Sequence, residues 1–77
     1  MQVRYSKSAL KDLRKVPAKD RDAIMGKLAA YAETGQGDVK KLQGRDGYRL
    51  RHGNWRALFE IRGDIIVVRV AKRGAAY

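Results

Sequence analysis

Basic side chains carry whatever chemistry this sequence can do. Between Tyr48 and Arg73, the arginines Arg49, Arg51, Arg56, Arg69 and Arg73 are interleaved with aromatic and β-branched residues. A guanidinium presents a planar set of donors that matches a phosphate in a bidentate way. It also stabilises negative charge that develops on a reacting phosphate. It stays protonated, so it is a poor general base. His52 is the only side chain here whose ordinary pKa lies near neutrality, and it could serve as a base. Equally, it could fill a turn, because histidine tolerates left-handed backbone better than most residues. Tyr77 could stack on a nucleobase or orient a phosphate, or it could be a frayed end. Trp55 could be a stacking platform or a core residue.

These side chains need elements to position them. Gln2 to Tyr5 reads as a short first strand. Ser6 can cap a helix running to about Lys15, with Leu10, Leu13 and Val16 at helical spacing. Pro17 marks the break. A second helix is expected from Ala18 to Thr34, where Ile24, Leu28, Tyr31 and Ala32 form one stripe and Gly35 ends it. Thr34 to Gly47 is glycine-bearing and reads as a loop with a short structured piece at Val39 to Leu42. Tyr48 to Arg51, Asn54 to Arg62 and Ile65 to Lys72 read as strands. His52-Gly53 and Gly63-Asp64 between them suit two-residue hairpin loops. The expected fold is α+β: a short N-terminal strand and a helical hairpin packed on one face of a mostly antiparallel sheet that ends in a three-stranded meander.

Those loops imply a register. Ile61 would meet Ile66, Phe59 would meet Val68, and Ala57 would meet Val70. Leu50 would meet Trp55 and Tyr48 would meet Ala57. This apolar face belongs against the helices, since side chains alternate along a strand. The other face gathers the arginines, with Arg49 opposite Arg56, Arg51 opposite Asn54, Arg69 opposite Leu58 and Arg73 beside Asn54. Like charges directly opposite forgo the roughly 0.2–1 kcal/mol that an opposite pair could contribute. The surface therefore reads as an anion site held ready for a partner. Glu60, near Val67, is the one acid on this face within the paired strands. It could be a base, or it could balance local charge.

Composition agrees. Eighteen Lys and Arg against eight Asp and Glu give a formal charge of +10 on 77 residues, which attracts polyanions. The length suits one domain. Without cysteine, no disulfide and no cysteine-ligated metal is available, which suits a reducing cytoplasm. No apolar run reaches membrane-spanning length, so no membrane partner is expected, and no cofactor or metal is called for. The first helix carries Lys7, Lys11, Arg14 and Lys15, either as a solvated face or as a contact for RNA or an acidic protein.

The runs Tyr48-Arg-Leu-Arg, Trp55-Arg-Ala-Leu-Phe-Glu-Ile and Ile66-Val-Val-Arg-Val-Ala-Lys-Arg-Gly-Ala-Ala-Tyr77, preceded by Lys41-Leu-Gln-Gly44, resemble the RelE branch of the RelE/ParE toxin superfamily. The resemblance covers nearly the whole chain. It implies a cytoplasmic toxin of a type II toxin-antitoxin system, an endoribonuclease that cuts mRNA in the ribosomal A site and leaves a 2′,3′-cyclic phosphate. It also implies a cognate antitoxin, with the ribosome and mRNA as further partners. By position, Arg49, Arg51, Arg56, Arg73 and Tyr77 match the family's catalytic set. Lys7, Lys11, Arg14, Lys15 and Arg69 would be RNA-binding. The family commonly has lysines where Arg49 and Arg51 stand, which matters if one of them must move a proton. The alternatives are a ParE-like toxin that inhibits DNA gyrase and an RNA-binding module without catalysis.

Overall fold

The computed structural model describes residues 1–74. In chain order the elements are β1 (Val3–Tyr5), α1 (Lys7–Arg14), α2 (Ala18–Thr34), β2 (Val39–Lys41), β3 (Tyr48–His52), β4 (Trp55–Arg62) and β5 (Asp64–Lys72). They form one five-stranded sheet in the order β1-β5-β4-β3-β2. β1 runs parallel to β5, and the other pairs are antiparallel. The expected α+β architecture is present. The short piece within the glycine-bearing loop joins the sheet as an edge strand and lengthens the meander to four strands. No helix among the described residues is long and apolar enough to cross a membrane.

Local chemistry sets the helix ends. Ser6 Oγ accepts from the Ala9 N–H at 3.0 Å and donates to the Val68 carbonyl at 3.0 Å. One hydroxyl thus caps α1 and ties its start to β5. Gly35, at φ 74°, closes α2 in the left-handed conformation. The core lies between the helices and one sheet face. Ala9, Leu13 and Val16 meet Ile24, Leu28 and Ala32 over Leu50, Ala57, Phe59, Ile65, Val67 and Val70. Leu10, expected in this core, is 47% exposed. Ala9, Leu13 and Val16 already complete a stripe at i, i+4 and i+7, and Leu10 stands one residue off it.

Both hairpins turn one residue away from the expected place. In the first, His52 pairs with Trp55, so Gly53 and Asn54 make the turn. Every partner across β3 and β4 moves by two. Leu50 faces Ala57, Tyr48 faces Phe59, Arg49 faces Leu58 and Arg51 faces Arg56. A shift of two preserves which face each side chain takes, so the apolar and basic faces survive the correction. In the second, Arg62 pairs with Asp64 around Gly63, which sits at φ 74°. That shift is by one, and it sends Ile65 and Val67 inward in place of Ile66 and Val68. A bulge at Leu58/Phe59 then absorbs Val68, and the expected register returns at Leu58–Arg69 and Ala57–Val70.

Beyond β1, helix α1 covers the edge of β5. Asp12 accepts from the Val70 N–H at 2.9 Å and from Arg69 Nε at 2.8 Å. Burial alone would raise the Asp12 carboxyl. The hydrogen bonds from Arg69 and Val70, with the charges of Arg69 and Lys15, outweigh that and hold it below its ordinary value. A folded-state carboxyl so lowered contributes stability above its unfolded pKa, and that stability is lost as pH falls through the folded value. Thermal unfolding followed below pH 5 should show the melting temperature falling in the wild type. In Asp12→Asn it should start lower at neutral pH and fall less steeply. Parallel curves would remove Asp12 from this role.

Candidate nucleic-acid interface

The sheet face away from the helices is ordered in rows. One row runs across Arg51, Arg56 and Ala71, with Asp38 beside Arg51. The next runs across Lys40, Arg49, Leu58 and Arg69. Arg49 therefore stands diagonal to Arg56 and directly beside Lys40. Lys40 was missed by sequence reasoning. The alternation through Val39 and Lys41 would have found it once that segment was taken as a strand. Just past β5, the Arg73 N–H donates to the Asn54 carbonyl, as the sequence register placed it.

The arginines on this face are held in different ways. Arg56 is only 8% exposed, and its Nη1 donates to the Gly53 and Trp55 carbonyls, each at 3.0 Å. It braces the turn while lying against Arg51. Arg51 is half-exposed and pairs through Nε with Asp38 at 2.8 Å. The hydrogen bond from Arg51, with the charges of Arg51, Arg49 and Lys40, holds the exposed Asp38 carboxyl below its ordinary value. Arg49 Nη1 is buried and has no hydrogen-bond partner among the described residues. An unsatisfied buried donor on a charged group is costly. Arg69 is turned toward Asp12 on α1, which commits it to an intramolecular pair.

The other candidates fall elsewhere. His52 lies in β3, not in the turn, and among the described residues no non-glycine residue has positive φ. It lies on the helix side, opposite the arginines. Its Nδ1 is 2.9 Å from Lys27 Nζ and its Nε2 is 3.2 Å from Asp20. An ammonium only donates, so the ring accepts at Nδ1 and donates from Nε2 to Asp20. That clamps α2 to the hairpin. Trp55 is half-buried against the core, with Lys72 Nζ 5.4 Å from its ring centre. Glu60 pairs with Arg62 at 2.9 Å, as a residue balancing local charge does. Lys7, Lys11 and Arg14 surround Leu10 along a separate open groove on α1, and Lys15 is exposed at its end. Tyr77 lies outside the described residues.

The face can thus bind phosphates and stabilise charge on them. Among the described residues no imidazole faces it, and Asp38 and Glu60 are each held by an arginine. It offers strong electrostatics, and its carboxylates Asp38 and Glu60 are tied up in ion pairs.

Residues 3–77 match the family model of the ParE toxin of type II toxin-antitoxin systems, parDE. Toxin RelE3 of Methanocaldococcus jannaschii is 33% identical over 75 residues, covering 90% of this chain and 85% of that protein. The crystal structure of a RelB-RelE antitoxin-toxin complex from Methanococcus jannaschii superposes with a TM-score of 0.76 at 32% identity, covering 90% of this chain and 88% of that one. The isolated E. coli RelE toxin shares the fold, with a TM-score of 0.80 at 22% identity over 97% of this chain and 86% of that one.

The different tethers separate Arg56 from its neighbour. Arg56→Ala removes two hydrogen bonds that satisfy turn carbonyls and should cost about 1–3 kcal/mol of stability. Arg51→Ala, which breaks an exposed pair, should cost within about 1 kcal/mol. Urea unfolding of the two variants measures this, and equal losses would contradict the bracing role.

Proposed function

This chain belongs to the RelE/ParE superfamily of type II toxins, and from that premise we propose that it is an endoribonuclease. In this reading it cuts mRNA in the ribosomal A site and so inhibits translation in the cytoplasm. The observation that carries it is the pair Arg51 and Arg56, directly opposite in the sheet, beside the buried and unpartnered Nη1 of Arg49. Like charges so placed cost stability, and a polyanion would relieve that beyond what Asp38 does for Arg51. Arg49, Arg51, Arg56 and Arg73 would hold the phosphates around the cut and stabilise charge in the transition state. Tyr77 would complete the set. Lys7, Lys11, Arg14 and Lys15 would contact ribosomal RNA or an acidic stretch of a cognate antitoxin. Relatives solved as RelB-RelE complexes support the antitoxin as partner.

The lack of an imidazole on the described face favours a second reading, an RNA-binding module that does not cut. Mapping new RNA 5′ ends after induction in cells separates the two. Cuts within reading frames that vanish in Arg73→Ala and in Arg51→Ala, with both variants folded, support the nuclease. Intact mRNA with tight RNA binding supports the module. Cutting that persists in both variants overturns the site. A stall in DNA replication before translation would point instead to a ParE-like gyrase inhibitor.

Asp38 acts in this reading as an internal competitor for Arg51. Asp38→Asn should free that guanidinium for one more phosphate. Affinity for single-stranded RNA should rise, and the slope of log K against log salt should steepen by about 0.7. An unchanged slope would mean that Arg51 does not reach the RNA.

A further inference from the structure

Beside the arginines the same sheet face opens into a cleft of about 400 Å³. Leu58 lines it, flanked by Arg49 on β3 and Arg69 on β5. Leu42 and Val68 add apolar surface, and Glu60 and Asp46 add carboxylates. The bulge that inserts Val68 brings this residue to the cleft. The loop from Leu42 to Gly47 closes one side. It is held by the Leu42 N–H donating to the Gly47 carbonyl at 2.9 Å. A side chain at Gly47 would come within 3.2 Å of the Phe59 carbonyl, so the loop lies flush on β4.

The lining matches one kind of ligand. Apolar side chains receive the face of a flat ring. The neighbouring Arg49 guanidinium receives the phosphate beside it. A carboxylate accepts hydrogen bonds and donates none. Glu60 Oε1 is held by Arg62 at 2.9 Å, which fixes the carboxylate in place while leaving Oε2 as an acceptor.

We infer that this cleft seats one base of the RNA, and that Glu60 selects a base bearing an exocyclic amino group (cytosine, adenine or guanine) over uracil. The inference rests on the reading of this face as an RNA site. Cytosine N4, adenine N6 and guanine N2 each present amino protons to a carboxylate. Uracil presents a single ring N–H between two carbonyl oxygens, and those oxygens repel it. Glu60 is therefore a specificity residue and takes no part in bond breaking.

The test is binding of the full chain to short, labelled, single-stranded homopolymers of cytidine, adenosine and uridine at fixed salt. The wild type should prefer cytidine and adenosine over uridine by about tenfold, the ratio supplied by one good side chain–base contact. Glu60→Gln should raise affinity for all three by removing a negative charge. It should also collapse the ratio, because an amide can donate to uracil O4. Arg62→Ala, which keeps the carboxylate, should retain a preference for amino-bearing bases. Salt-sensitive binding of all three RNAs without preference, or a ratio that Glu60→Gln leaves unmoved, overturns the base assignment and leaves the RNA-binding reading standing. Failure to bind any of the three overturns both.

Discussion

Everything in this small molecule depends on the alternation of side chains along β4. It has strands on both sides, and Ala57, Leu58 and Phe59 in succession are almost fully buried. Ala57 and Phe59 point at the helices, where Phe59 meets Tyr31 and Tyr48 with ring centres 5.8 and 5.6 Å away. Once those two are inside, Arg56 and Leu58 have no choice but the other face. A slip of one residue would bury arginine in the core and expose phenylalanine, so the packing that folds the chain also fixes the basic surface.

That arrangement places positive charges side by side, and the structure answers each differently. Arg56 lies against carbonyl oxygens of its own turn, Arg51 takes Asp38, and Arg69 takes Asp12. Exposed pairs of this kind contribute little stability, so Asp38 holds Arg51 only loosely. Asp12 differs because its carboxylate also satisfies a backbone N–H of β5. Arg69 is consequently paired with a carboxylate that is itself fixed, whereas Arg49 Nη1 is buried and has no hydrogen-bond partner among the described residues.

The sequence told more about faces than about partners. Strand periodicity alone put Arg49, Arg51 and Arg56 on one surface, and they are there because that conclusion needs only parity. The exact turns were beyond it. His-Gly and Gly-Asn are both acceptable hairpin loops, and the choice between them comes from packing Tyr48 on Phe59 and from tying His52 to α2. The bulge at Leu58/Phe59 was invisible for a related reason. Val67 and Val68 are chemically identical, so nothing in the residue types says which one goes inside. Lys40 was lost because a three-residue edge strand carries too little pattern to stand out from a glycine-bearing loop.

The bulge also explains how binding surface and cleft coexist on so small a sheet. Without it, Arg62–Asp64 pairing would continue along β5 and turn Val70 away from the helices, at the cost of a core residue that is 3% exposed. With one extra residue, both Val67 and Val70 stay inside, and Val68 is the residue left over. Its apolar side chain lies beside Leu58, on a face otherwise given to charge. The same local irregularity that rescues the core therefore adds apolar surface to the basic face. Under the proposed reading, fixed charges that cannot shuttle protons would still govern how RNA lies on that surface, because a seated ring and a phosphate held beside it would leave the RNA little freedom to slide.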